Sequence, residues 1–161
     1  VLPRLRVHGA NLELQPGEFQ NRFESLLQDT EGAVTFVGKY DHEHLPELMA
    51  HVDWVVVPSV WWENSPLVIQ EAFQQGRPVI CSDIGGMAEK VTDGVNGLHF
   101  GVGDPASLAE ALRRAVETPG LWESLRQGIS PVHPMDEHVQ RLDDLYTSLL
   151  LSKHAEDASV S

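Results

Sequence analysis

Two glutamates are the chain's strongest candidates for chemistry. Glu63 and Glu71 are separated by seven residues, and Asn64-Ser65-Pro66-Leu67 follows the first of them. Proline suits the first position of an α-helix, where a backbone N–H has no intrahelical partner, and serine before it is a favoured cap. The pattern therefore predicts a helix from Pro66 to about Gln75, capped by Ser65 and stopped by Gly76. Glu63 then lies in the loop before the helix. Glu71 lies inside it, and because helical side chains lean toward the N-terminus, its carboxylate can reach back toward the loop. The spacing permits both groups to face one ligand over the helix start.

The helix start itself is an anion site. Its first N–H groups lack intrahelical acceptors and carry a partial positive charge, so a diphosphate can sit there without lysine or arginine. Carboxylates repel phosphate but accept strong hydrogen bonds from hydroxyls. A ligand that presents hydroxyls, then a diphosphate, then hydroxyls again is a sugar nucleotide. On that reading Glu71 takes the ribose and Glu63 takes the sugar.

These residues need a scaffold, and the chain alternates strand-like and helix-like segments in the manner of parallel βαβ units. Strands are expected at residues 5–8, 33–37, 54–57, 78–82 and 97–100. Helices are expected at 18–28, with Phe19, Phe23, Leu26 and Leu27 on one side, and at 43–51, with Leu45 and Leu48 inward. Gly85-Gly86 should open a loop before a short helix around residues 87–91. Asp104-Pro105 should cap and start a helix that runs to about Glu117, and two more helices are expected near 121–127 and 136–150. The expected fold is α/β, a Rossmann-like parallel sheet with helices on both faces. Ligands of such sheets bind beyond the carboxyl ends of the strands, where Glu63 lies.

Composition narrows the function. The chain has 161 residues, 42% hydrophobic and 22% charged, enough for one domain with a core. Its 24 acidic against 11 basic side chains give a net charge of −13, which excludes a nucleic-acid partner because phosphate binding needs a basic face. No apolar run approaches the length of a membrane span. The single cysteine, Cys81, cannot form an internal disulfide and favours a reducing compartment. Val1-Leu2-Pro3-Arg4 has neither an initiator Met nor a signal-peptide layout, so a piece of a longer protein is expected. One domain is expected over 1–151, with a polar, disordered tail over 152–161.

Several motifs in order carry a family resemblance. Pro58-Ser59, the Glu63 and Glu71 pair with Ala72, Gly76-Arg77-Pro78-Val79-Ile80 and Gly85-Gly86-Met87-Ala88-Glu89 resemble the donor-binding domain of glycosyltransferase family 4. Val34-Thr35-Phe36-Val37-Gly38, Ala50-His51-Val52-Asp53, Asp93-Gly94-Val95-Asn96-Gly97 and Asp104-Pro105 with Leu108 are similar to it too. The resemblance covers about Leu5 to Leu150. It implies the C-terminal half of a two-domain GT-B fold and sugar transfer from a nucleoside-diphosphate sugar with retention at the anomeric carbon. It implies no metal or other cofactor. Glu63 would contact the donor sugar as the catalytic-site glutamate, and Glu71 would hold the ribose. Backbone groups of Asn64, Ser65, Pro66 and Leu67 would serve sugar and diphosphate, and Gly38, Lys39 and Tyr40 would hold the base. The acceptor would be a glycan or a lipid-linked sugar. An N-terminal domain of the same protein would bring it, and would place the enzyme in the cytoplasm, peripheral at the inner membrane face.

The chain also departs from the family pattern. Asn64-Ser65-Pro66 stands where Phe-Gly commonly follows the first glutamate, which leaves the sugar open. The family's first strand of this domain, with the Arg and Lys that neutralise the diphosphate, would lie before Val1. The fragment alone is therefore expected to bind donor weakly and to be inactive.

Simpler readings stand beside these. A lone glutamate on a helix usually faces solvent; only the ordered set of motifs lifts Glu71 above that. Trp61 and Trp62 fit an exposed acceptor or interdomain surface and packing aromatics equally well. Lys39 reads equally as a surface lysine. His42 and His44 lie two apart and share no helical face, so they do not make a metal site. Cys81 falls in an apolar strand and reads as inert core. Asp143 and Asp144 read as a solvated face. Two rival functions fit the same motifs: a GT-B-fold sugar-nucleotide epimerase and a non-catalytic sugar-nucleotide-binding module.

Overall fold

The computed structural model describes residues 3–9, 11–131 and 135–159, with the side chains of 135 and 153–159 excepted. Residues 160 and 161 of the expected tail lie outside them. The chain divides into two units, Val1–Ile129 and Ser130–Ser161.

The first unit contains β1 (Leu5–His8), α1 (Gly17–Asp29), β2 (Val34–Gly38), α2 (Leu45–Ala50), β3 (Val55–Val57), α3 (Leu67–Gln74), β4 (Val79–Ser82), α4 (Gly85–Lys90), β5 (Gly97–Phe100), α5 (Pro105–Glu117) and α6 (Leu121–Gln127). The strands are all parallel, as short βα connections require. They form two ladders, β1-β2 and β3-β4-β5, rather than the one sheet expected. Pairing partners are set by tertiary contacts, and among the described residues no strand joins β1 to β3.

The three-stranded ladder is the core. β4 is buried along its whole length, as a strand covered on both faces must be. Val55, Val57, Val79 and Cys81 face α2, α3 and α4 through Leu45, Met49, Ile69, Ala72, Met87 and Val91. Their alternates, Ile80, Leu98 and Phe100, face α5 and α6 through Ala111, Ala115 and Leu125. Helices therefore flank both faces, as the sequence pattern requires. Asp104 caps α5 as expected, its Oδ1 accepting from the N–H groups of Ala106 at 2.9 Å and Ser107 at 3.0 Å.

Three local expectations change. α1 carries its apolar stripe against a ladder only two strands wide. Phe23 meets Phe36 edge to face, with ring centroids 5.2 Å apart, while Phe19 and Leu26 stay exposed. The helix expected from Glu43 begins as a tight 3-10 turn, His42–His44, and α2 buries Leu45 and Met49, leaving Leu48 half-buried. Gly85 and Gly86 form the first turn of α4 rather than a loop.

The second unit holds α7 (Met135–Ser159), with Arg141 paired to Glu137 at 2.8 Å. The helix runs on through Ser152–Ser159, where a tail is expected from the polar composition. That stretch contains no glycine or proline to stop it.

Candidate functional site

The loop after β3 is built link by link. The Ser59 hydroxyl accepts from the Trp61 N–H at 3.2 Å, and the Trp61 carbonyl accepts from the Glu63 N–H at 3.0 Å. The Glu63 carbonyl in turn accepts from the Gly86 N–H at 2.7 Å. Gly86 is in the first turn of α4, where a backbone donor has no intrahelical acceptor, and Ile84 at the cap offers no side-chain acceptor. The carbonyl of Glu63 therefore caps α4, and α4 pins the loop.

The two glycines make this approach possible. A Cβ on Gly86 would collide with the backbone carbonyl of Asn64 and come within 2.8 Å of the Glu63 oxygen. Gly85 adopts φ 52, and a Cβ there would stand 3.2 Å from the Trp62 ring. The sequence reads Gly85-Gly86 as the opening of a loop; the close approach that explains them is tertiary. Trp61 and Trp62 are 76% and 70% exposed, which removes the packing alternative within this unit.

α3 begins one residue later than its sequence suggests. Pro66, buried and extended at ψ 118, is the N-cap, and no side chain caps the helix. Ser65 is not the cap, since the helix starts at Leu67; its hydroxyl accepts from the Gln70 amide at 3.0 Å. The Pro66 carbonyl accepts from the Ile69 N–H at 3.2 Å. The tip is open, with Asn64, Ser65 and Leu67 all exposed. Its partial positive charge is thus offered outward without a competing side chain.

Glu71, in the second turn of α3, has a partner that sequence reasoning missed. Its Oε1 lies 2.7 Å from His42 Nε2, with the carboxylate side chain 20% and the histidine 79% exposed. Only Asp41 separates the His42–His44 turn from Gly38, Lys39 and Tyr40, so this contact ties the end of β2 to α3 across 29 residues. No local spacing signals such a pair.

Two clefts open around these residues. One, of about 570 Å³, is lined by Lys39 and Tyr40 together with Arg6, His8, Leu48 and His51. His8 meets Tyr40 edge to face at 5.6 Å, and burial, then the nearby Arg6 charge, lowers its pKa from the usual histidine value. The other, of about 270 Å³, is lined by Glu71, His42, Leu45, Gln74 and Gln75. Glu63 lines neither. Gly38 turns the chain at φ 87 at the end of β2. Deeper in the fold, burial and the charges of Asp83 and Asp93 push the Cys81 thiol up to about 12, so it is inert core, as its apolar strand implies. Among the described residues no group of three or more His, Cys, Asp or Glu side chains is placed to hold a metal ion. No helix of the described chain is long and apolar enough to cross a membrane.

Residues 3–118 match the family described as "Glycosyl transferases group 1". Over 87 residues, 54% of this chain, it is 39% identical to glycogen synthase of Mycobacterium tuberculosis, and it spans 21% of that protein. Over 74% of its length it is 31% identical to an uncharacterised glycosyltransferase of Methanocaldococcus jannaschii, covering 31% of it. Among solved structures, sucrose-phosphate synthase from Thermosynechococcus elongatus superposes with a TM-score of 0.74 at 29% identity, over 92% of this chain and 39% of that one. Anabaena HepE in complex with UDP superposes with a TM-score of 0.70 at 26% identity, over 79% and 35% of the two chains. The fold is α/β, parallel strands flanked by helices as in GT-B glycosyltransferases, and the chain belongs to the group 1 glycosyltransferases.

Proposed function

We propose that this chain is the donor-binding domain, over residues 1–151, of a retaining glycosyltransferase that moves a sugar from a nucleoside diphosphate to a hydroxyl acceptor. The observation that carries the reading is the open tip of α3, with no capping side chain, between the pinned Glu63 loop and the half-buried Glu71. The solved complex of HepE with UDP supports a nucleoside diphosphate as the shared part of the ligand.

In this reading the backbone from Asn64 to Leu67 binds the diphosphate and stabilises the charge that grows on it as it leaves. Glu63 orients the sugar, Glu71 takes the ribose, and Gly38, Lys39 and Tyr40 hold the base. The bond from the anomeric carbon to the diphosphate oxygen breaks, and its electron pair leaves with the diphosphate. The acceptor oxygen forms the new bond on the same face, and its proton passes to the leaving phosphate. No metal ion or other cofactor takes part.

A further domain of the same protein brings the acceptor, a glycan or a lipid-linked sugar. It also places the enzyme at a cytoplasmic membrane face. The chain by itself is then inactive.

The test is Glu63→Gln in the intact protein, with transfer from a panel of nucleoside-diphosphate sugars as the readout. Transfer should fall at least a hundredfold, the scale of one lost transition-state contact in an active site. Undiminished transfer overturns the role of Glu63. Epimerisation of the donor without an acceptor would replace transfer by the epimerase reading.

A further inference from the structure

We infer that His42 is the positioning residue for the donor's ribose: by holding Oε1 of Glu71, it leaves the other carboxylate oxygen aimed at the sugar hydroxyls of a nucleoside diphosphate. This inference rests on the donor-binding reading of Glu71.

The geometry gives His42 this task. At 2.7 Å the Nε2···Oε1 contact is short, as expected for a bond to an ionised acceptor. A glutamate on a helix has three rotatable side-chain bonds and loses binding strength unless something fixes it. Among the described residues His42 is the only group hydrogen-bonded to the Glu71 carboxylate. A carboxylate accepts at both oxygens, so one bond from His42 orients the group and leaves capacity for a hydroxyl.

His42 itself is placed by the tight turn His42–His44, in which the His44 N–H donates to the Asp41 carbonyl at 3.0 Å. That turn follows the Gly38, Lys39 and Tyr40 segment proposed to hold the base. A base seated there and a ribose on Glu71 would be joined through one imidazole. The remaining polar groups around the contact are Glu43, Gln74 and Gln75 in the same small cleft; Gln75 donates its backbone N–H to the Glu71 carbonyl, and none of the three bonds to the Glu71 carboxylate. The high exposure of His42 argues against a purely structural pair, since exposed ion pairs add little to stability.

The experiment is calorimetric titration of the intact protein with UDP and ADP and with their 2′,3′-dideoxy counterparts, for the wild type, His42→Ala, His42→Gln and Glu71→Ala. The ribose preference is the ratio of affinities for the ribo and dideoxy forms. His42→Ala should cut that preference roughly threefold to tenfold, the scale of one net hydrogen bond. Binding of the dideoxy forms should stay unchanged. His42→Gln, whose amide can still donate, should restore the preference. An unchanged preference in His42→Ala, or a parallel loss for ribo and dideoxy forms that His42→Gln does not rescue, overturns the inference. If the wild type shows no ribose preference, or Glu71→Ala keeps it, the donor-binding reading of Glu71 fails whatever His42 does.

Discussion

The backbone N–H of Gly86 donates to the carbonyl of Glu63 at 2.7 Å, and Gly86 lies so close to Asn64 that no side chain fits between them. The first turn of α4 thereby sets the position of the loop that carries the proposed sugar ligand. Gly86→Ala should push the loop off α4. Overpacking of this kind costs about 1–3 kcal/mol, readable by urea unfolding. Nucleoside-diphosphate binding should weaken in the same variant. An alanine variant with unchanged stability and unchanged binding would show that the contact positions nothing.

Glu71→Ala removes the carboxylate without touching the buried face of α3, where Ile69 and Ala72 lie. Affinity for a nucleoside diphosphate should fall by about 1–3 kcal/mol, the loss of hydrogen bonds to a charged group. Calorimetry on the intact protein reads this directly. Equal affinities for variant and wild type count against the ribose role.

Ser65 and Asp104 both precede helices, yet only Asp104 caps one. Asp104→Ala should cost about 1 kcal/mol, the usual loss for an N-cap. Ser65→Ala should cost less than about 0.5 kcal/mol, as for an ordinary exposed substitution. Thermal or urea unfolding of the two variants side by side separates them. Equal losses would mean that Ser65 caps α3 after all.

His8 supplies a pH dependence with a definite sign. Burial, and then Arg6, disfavour its cation, so the folded chain holds the proton less tightly than the unfolded chain. The stability tied to neutral His8 is complete above the unfolded value of 6.5 and is lost as pH falls through the lower folded value. His8→Phe should therefore destabilise the protein less at pH 5 than at pH 8, relative to wild type. An identical offset at both pH values would remove the linkage.

Much of this architecture is legible in the residue order because its causes are local. The apolar run at Val79–Ser82 announces a strand buried on both faces, and Asp104-Pro105 announces a helix start. Glu63 and Glu71 are findable because loop and helix are adjacent in sequence. What sequence misses depends on distant partners. Ser65 bonds the Gln70 amide while α3 starts at Leu67, and α4 explains Gly85 and Gly86 only once it is folded against the loop. The partition of strands into two ladders is a matter of who lies beside whom. His42 is hardest of all, since 29 residues separate it from the carboxylate it holds.

The lone thiol in β4 also makes the protein its own opening gauge. Cys81 is completely buried and its ionisation is pushed up to about 12, so an alkylating reagent at neutral pH meets almost no thiolate while the native packing holds. Each modification event must wait for the central ladder to part, and the labelling rate becomes a clock for that excursion. A bound nucleotide that braces α3 and α4 against β4 would slow the clock. Ligands of unknown chemistry could thus be ranked by how long they delay a single covalent tag.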